Sequence, residues 1–142
     1  MRSTRRPGAG WRERGAAAVE LAIIMPLLLL VIAGIVDFGR FFMTEIQLTN
    51  AAREGARVAV IGESANNVRA RITAAAPVVD GLSITSPAAG PARVCAVGSN
   101  ADATVVVSGT FKWILLDPAM KMFGASSALP KAEAKAVMRC GG

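Results

Sequence analysis

The residue best suited to chemistry is Glu20, which precedes a long apolar segment. Residues 21–36 follow it without a single charge. A carboxylate in the first turns of a membrane helix costs about 2.5–3.5 kcal/mol on insertion scales, so such residues usually have a function. Position alone also allows a glutamate that simply lies at the lipid headgroups. The chain has no histidine, which removes imidazole bases and imidazole metal ligands.

The remaining polar residues do not form a catalytic arrangement. A hydrolase without histidine needs a Ser–Lys pair or a pair of acids, and no such cluster stands out. Asp80, Asp102 and Asp117 lie in turn-like contexts, where carboxylates commonly bind nearby backbone groups. The chain also lacks the glycine patterns of phosphate and dinucleotide sites and the EF-hand loop. We predict no enzymatic activity, no cofactor and no metal site.

The positive charge of the chain is concentrated before the apolar segment. The 142 residues have a net charge of +6, and residues 1–15 contain five arginines and one acidic residue. Arginines beside a membrane span hold that end of the chain in the cytoplasm. The rest of the chain offers little basic surface, which argues against nucleic-acid binding. We therefore predict a cytoplasmic N-terminus and an extracytoplasmic C-terminal domain.

The elements that position Glu20 begin with a membrane helix. Residues 16–36 comprise 21 residues, and as a helix they would measure about 31 Å, close to one hydrocarbon thickness. The segment is apolar on all sides, unlike the amphipathic helices of soluble cores. Pro26 is tolerated more readily in membrane helices than in soluble ones. The sequence predicts a basic leader over 1–15, a transmembrane helix over 16–36 and an extracytoplasmic domain over 37–142.

Beyond the span the helical pattern continues to residue 62. An apolar stripe on this part of the helix consists of Phe41, Leu48, Ala52, Gly55 and Ala59. Arg53, Glu54 and Arg57 lie on another face, which we interpret as solvated, with Glu54 spaced to pair with Arg57. Asp37 and Arg40 have the same spacing at the outer membrane boundary, where an interfacial anchor without pairing is the alternative.

The C-terminal half predicts a second helix and a small sheet. Ser64 is a suitable N-cap for a short helix that ends at Pro77. Short strands are expected at 82–85 and 93–97, within a segment rich in Gly, Pro, Ser and Ala.

Two later segments alternate between polar and apolar residues. Residues 104–115 and 131–140 follow this period of two, which predicts strands with one buried face. A turn and a short helix over 117–124 connect them. The predicted fold class is α+β, with the long helix packed on a small antiparallel sheet.

The two cysteines lie downstream of the span, in a compartment that permits disulfides if the arginines stay inside. A bridge between Cys95 and Cys140 would stabilise the domain by about 4 kcal/mol in the chain-entropy model. Free thiols or an intermolecular bond are the alternatives. Neither cysteine has the spacing of a metal or redox motif.

The leader ends in Gly15, and Glu20 follows after four intervening residues. This arrangement resembles the cleavage site of type IV prepilins and pseudopilins, which a membrane-embedded aspartyl peptidase cuts after the glycine. Residues 14–60 look like the TadE-like family, pseudopilins or minor pilins of the tight-adherence (Flp) pilus. The matching elements are Gly15 with Glu20, Pro26 followed by leucines, DFGR at 37–40 and NAAREGAR at 50–57.

The resemblance implies a pilin-like fold and a role in assembling or priming a thin adhesive pilus. The implied partners are the membrane, a prepilin peptidase, other pilin subunits, an inner-membrane platform and an assembly ATPase. Cleavage after Gly15 would create an ammonium group at Ala16, and Glu20 of a neighbouring subunit can pair with it. Two charges that are costly alone in lipid would then compensate each other.

Two readings of another class stay open. Residues 21–32 can be the apolar region of a secretory signal cleaved before Gly34, which would release a soluble binding domain. An uncleaved single-pass anchor with a binding domain is the other. Glu20 and Pro26 interrupt the apolar run, and the run continues past the candidate cleavage point, which disfavours the secretory signal.

Overall fold

The computed structural model of the protein describes residues 9–96, 98–122, 124 and 130–141. Its elements are α1 (Ala9–Val60), α2 (Ala65–Ala75), β1 (Ser83–Ser86), β2 (Asp102–Gly109), α3 (Leu116–Met122) and β3 (Ala132–Arg139). The predicted α+β class is confirmed, because the long first helix packs on a three-stranded antiparallel sheet. Helix α1 begins inside the predicted leader, whose residues 1–8 lie outside the described residues.

Helix α1 is continuous over 52 residues, but its two halves have different surroundings. Residues 15–32 are all exposed, and none of the most apolar stretch is buried within the protein. In the part of the chain that the structure describes, this is the one helix long and apolar enough to cross a membrane, judged by length and composition. Pro26 lies inside it without ending it.

The C-terminal half of α1 forms one wall of the core. All five residues of the predicted apolar stripe are buried, and the two largest of them are Phe41 and Leu48. The small residues of the stripe let the neighbouring elements approach the helix closely. The helical spacing of apolar residues therefore predicted the buried face of α1 correctly, because residues at this spacing share one side of the helix.

The sheet covers the buried face of α1. Strands β1, β2 and β3 lie in that order, and β2 pairs with β3 along its whole length, from Asp102 opposite Arg139 to Gly109 opposite Ala132. The buried residues of these two strands are Ala103, Val105, Val107, Ala132, Ala134 and Ala136. They alternate with half-buried residues in β2 and with exposed residues in β3, which confirms the predicted period of two.

The predicted strand over 104–115 is too long, since β2 ends at Gly109. Gly109 pairs with the first residue of β3, so pairing with β3 stops there. A Cβ at Gly109 would lie 2.5 Å from Val79 Cγ1, which shows how closely the chain passes its neighbour. Beyond this point Phe111 and Trp113 pack against Phe41 of α1 instead of continuing the sheet.

The predicted helix after Ser64 is present as α2, and Ser64 Oγ accepts a hydrogen bond from the Asn67 N–H at 3.3 Å. The predicted strand over 93–97 is wrong where it is described, with only a single bridge there, between Ser64 and Arg93. The backbone of this segment instead bonds to the chain just before α2, since the Val94 N–H donates to Glu63 O at 3.3 Å. The Ala65 N–H also donates to the preceding Ala92 O at 2.8 Å. Residue 97 lies outside the described residues.

Candidate functional site

The predicted cleavage and pairing residues lie on the exposed part of α1. Gly15, Ala16 and Glu20 are all exposed, and a Cβ added at Gly15 would have no neighbour within 4 Å. Ala16 and Glu20 are four residues apart, so they lie about 6 Å apart on one face of the helix. This part of α1 extends away from the folded domain, which leaves the peptide after Gly15 accessible.

Asp37 has a different environment, because it is fully buried within the fold. Its Oδ2 accepts hydrogen bonds of 2.8 Å from the backbone N–H groups of Leu115 and Leu116. Its Oδ1 accepts one of 3.2 Å from Arg40. The carboxylate therefore ties the start of α3 to α1, in addition to forming the i,i+3 pair with Arg40.

The sequence could not reveal these backbone partners, because they lie 78 and 79 residues from Asp37. Local spacing indicated only Arg40, whose side chain stays 43% exposed. Burial of a carboxylate is favourable only when hydrogen bonds replace the lost water, and here two backbone donors and one charged donor do so.

An aromatic cluster surrounds this pair. Phe41 stacks on Trp113 with ring centroids 5.3 Å apart, and the Phe41 and Phe111 rings meet edge to face at 5.5 Å. The Phe38 and Trp113 rings also meet edge to face, with their centroids 5.2 Å apart. The Arg40 guanidinium lies 5.2 Å from the centre of the Phe111 ring, a cation–π contact. The cluster packs the chain between β2 and α3 onto α1 just beyond the predicted span.

Glu54 connects α1 to α2. Its carboxylate accepts hydrogen bonds from Arg57 at 2.9 Å and from Arg71 of α2 at 2.7 Å. These bonds lower the pKa of Glu54 from 4.5 to about 2. The sequence indicated the Arg57 pair, whereas the Arg71 pair depends on the folding of α2 against α1. Glu54 is thus a connection between helices rather than part of a solvated face only.

Cys95 and Cys140 form a disulfide, and their Cα atoms are 5.6 Å apart. Both residues are buried. The bridge links the segment after α2 to the end of β3, 45 residues later in the chain. Together with the Cys140 N–H, which binds Ala101 O at 2.8 Å, it fixes the C-terminus at the edge of the fold.

A segment of the chain matches a known protein family. Residues 15–57 match the family described as TadE-like protein. Over these residues the chain is similar to that family. The match confirms the resemblance seen in the sequence, and it covers under a third of the 142 residues. No curated protein and no solved structure matches the chain.

The TadE-like segment contains most of the predicted site residues. It includes the exposed Gly15–Glu20 region and the buried Asp37, together with Glu54. The near partners of Asp37 and Glu54, Arg40 and Arg57, lie inside it as well. Their distant partners, namely the N–H groups at the start of α3 and Arg71, lie outside it. The family match indicates a protein associated with tight-adherence (Flp) pili.

Proposed function

We propose that the protein is a pseudopilin or minor pilin that takes part in assembly of a Flp-type pilus or a related secretion apparatus. The observation that carries this proposal is the TadE-like match at residues 15–57 on a helix whose apolar half is exposed. An exposed apolar helix of this length needs lipid or other helices around it. A pilin-like subunit uses both environments, lipid before assembly and neighbouring helices afterwards.

The chain is divided, in this proposal, into a leader over 1–15, a membrane helix over 16–36 and an extracytoplasmic domain over 37–142. The burial pattern of α1 supports the second boundary, because Asp37 is the first fully buried residue along the helix from Gly15 onward, where burial is described. The disulfide supports an extracytoplasmic location, since such bonds persist in oxidising compartments. The arginines of the leader then stay in the cytoplasm.

Processing by a prepilin peptidase after Gly15 is the first step of the proposed function. It would leave a new ammonium group at Ala16 on the cytoplasmic side of the span. Glu20 lies one helical turn further along α1 and is exposed, so the carboxylate is available to the Ala16 ammonium of an adjacent subunit. Such pairing would set the register between subunits as well as attract them.

The proposed partners follow from this assembly. They are the membrane, the prepilin peptidase, other pilin subunits, and a platform with its ATPase. The competing proposal is a domain, secreted or held by an uncleaved single-pass anchor, that binds a partner without any pilus. It requires only the exposed helix and the folded domain, and it assigns no role to Glu20.

The experiment that tests the proposal is the intact mass and N-terminal sequence of the protein extracted from membranes of its native host. We expect a membrane-retained form that begins at Ala16. A soluble form that begins at Gly34 would establish a secreted domain and withdraw Glu20 as a site. A form that keeps Met1, in a host that expresses an active prepilin peptidase, would leave a plain membrane anchor.

A further inference from the structure

Helix α3 lies beside the apolar half of α1 rather than beside the sheet. A groove between the two helices is lined on one side by residues of α1 and on the other by Leu115, Ala119 and Met122. The α1 side consists of Ile23, Pro26, Leu27, Leu29, Leu30, Ile32 and Ala33. A Cβ added at Gly34 would lie 3.9 Å from Leu116 Cδ1, so the helices are in contact at the start of α3.

The position of this groove relates α3 to the bilayer. If residues 16–36 span the membrane, Ala33 lies about 5 Å inside the outer end of the span and Pro26 lies about 15 Å inside it. From Pro26 outward the α1 side of the groove is therefore in the outer half of the hydrocarbon, and Ile23 lies about 20 Å inside the outer end, just past the midplane. Because α3 forms the other wall of the same groove, it lies at the level of the outer leaflet.

Apolar side chains of α3 and of the residues before it stay exposed, both at the groove and away from it. Ile114 is 59% exposed, Leu115 43% and Met122 78%. In water, the exposure of these apolar side chains on so short an element would be unfavourable in free energy. In the outer leaflet they would be in contact with acyl chains, continuous with the exposed apolar surface of α1.

The charged groups of α3 are compatible with that level. Asp117 and Lys121 pair one turn apart, with the Lys121 Nζ 2.6 Å from Asp117 Oδ2. The long lysine stem can lie along apolar surface while its ammonium group reaches the headgroups. Trp113 and the phenylalanines around it lie just before α3, and aromatic rings are typical of the membrane–water boundary.

We propose that Ile114 and α3 form a second membrane contact, which inserts into the outer leaflet beside α1 and takes lipid acyl chains as its ligand. This inference rests on the proposed membrane anchoring by residues 16–36. Asp37 holds the start of α3 in place through its hydrogen bonds to Leu115 and Leu116. The contact fixes the rotation of α1 about its axis and so presents one defined side of the sheet away from the bilayer.

The methionines of the natural chain provide the test. We would label their methyl groups with ¹³C, place the full chain in lipid bilayer discs and add lipids that carry a nitroxide on the acyl chain. Met25 reports on the predicted span and Met122 on α3. Met138 is a control on β3, and the exposed Met43 is a control on α1 beyond the span. Single Met→Leu variants assign the signals.

We expect the nitroxide to reduce the Met122 signal about as much as the Met25 signal. The signals of Met43 and Met138 should be reduced less than both. A Met122 signal that behaves like that of Met138, while Met25 is reduced, would overturn the contact and leave the anchoring intact. If the unaffected Met122 signal also shifts on dilution of the protein, the apolar face belongs to a second copy of the chain. An unaffected Met25 would overturn the anchoring itself.

Discussion

Two carboxylates bracket the apolar half of α1, and their surroundings differ. Asp37 is buried and its two oxygens accept bonds from backbone N–H groups and from Arg40. Glu20 is exposed on a part of the helix that projects from the domain. The first carboxylate therefore acts within the subunit. The second is suited to a partner from another molecule, as the proposed subunit pairing requires.

Replacement of Glu20 by leucine tests that pairing. We expect Glu20→Leu to insert into the membrane normally, because leucine fits the apolar helix. Without its partner, the Ala16 ammonium would remain unpaired, at a cost below the roughly 2.5–3.5 kcal/mol of a charge at the centre of a span. Each 1.4 kcal/mol is a factor of ten, so incorporation into sheared pili should fall by about tenfold. Immunoblots of pilus and membrane fractions measure this ratio.

Val19→Leu is the matched control, since Val19 is the exposed apolar neighbour of Glu20 and its replacement keeps the charge pair. It should assemble like the natural protein. Glu20→Leu subunits that enter pili at the natural level would rule out charge pairing at this position.

Asp37 gives a prediction about stability within the subunit. Asp37→Ala removes the acceptor of the Leu115 and Leu116 N–H groups and leaves these half-buried donors without it. We expect a loss of about 1–3 kcal/mol and hydrogen exchange at these two amides that is about tenfold to a hundredfold faster. Glu45→Ala, on the same helix two turns further along, should leave both amides unchanged. Equal exchange in Asp37→Ala and the natural protein would remove the role of Asp37 in holding α3.

At the scale of elements, Gly→Ala substitutions at two positions of α1 separate the effect of close packing on stability from the effect of helix propensity. A Cβ at Gly55 would lie 2.5 Å from Ile72 Cγ1 of α2, whereas a Cβ at Gly39 would meet nothing within 4 Å. We expect Gly55→Ala to destabilise the domain by about 1–3 kcal/mol, because α2 must move away. Gly39→Ala should instead stabilise it by up to about 1 kcal/mol.

Chemical denaturation of the full-length variants in detergent measures both changes. We predict that the two substitutions change the free energy of unfolding in opposite directions. Because the same substitution is made twice on one helix, this difference in sign reports on the surroundings of each glycine. Stabilisation by Gly55→Ala would show that α1 and α2 are not closely packed in solution.

The connection between α1 and α2 also predicts a dependence on pH. The pKa of Glu54 is lowered from 4.5 to about 2 by its bonds to Arg57 and Arg71. A lowered pKa means that the folded state favours the ionised form, so the stabilisation is complete above about pH 4.5 and is lost as the pH falls towards 2. The difference in melting temperature between the natural protein and Glu54→Gln should therefore shrink over this range.

Glu133→Gln is the control for this measurement, because Glu133 is an exposed carboxylate on β3. Its effect on melting should be small throughout. A Glu54→Gln effect that stays constant from neutral pH to pH 2 would show that Glu54 does not form these bonds in solution.

The sequence predicted those elements whose pattern repeats. The stripe on α1 and the alternation in β3 are periodic, and both place the correct residues in the core. The 93–97 strand was wrong because the bonds of this segment to the start of α2 depend on tertiary contacts. For the same reason, the sequence did not predict the distant partners of Asp37 and Glu54. In each case the sequence identified the group and the near partner at i,i+3, and the distant partner needed the fold.

At the scale of the molecule, α1 belongs to two environments at once. None of the most apolar stretch of its first half is buried, although α3 lies beside part of that half, and its other half is enclosed by α2 and the sheet. A force on the membrane half reaches the domain through the contacts that α1 makes with α2, α3 and the sheet. The domain must therefore remain folded by its own contacts, and the last described strand of the sheet is held at its end by the disulfide.

Loss of that disulfide should weaken the whole domain rather than one element. Cys95 and Cys140 are separated by 45 residues, and a crosslink over such a loop is worth about 4 kcal/mol in the chain-entropy model. We expect the oxidised natural protein to exceed Cys140→Ser in unfolding free energy by about this amount, and reductant to bring the natural protein to the level of the variant. Reductant should leave Cys140→Ser unchanged, which controls for other effects of the reagent. Equal stability of the oxidised and reduced natural protein would mean that the contacts of α1 with the sheet alone hold the C-terminus in place.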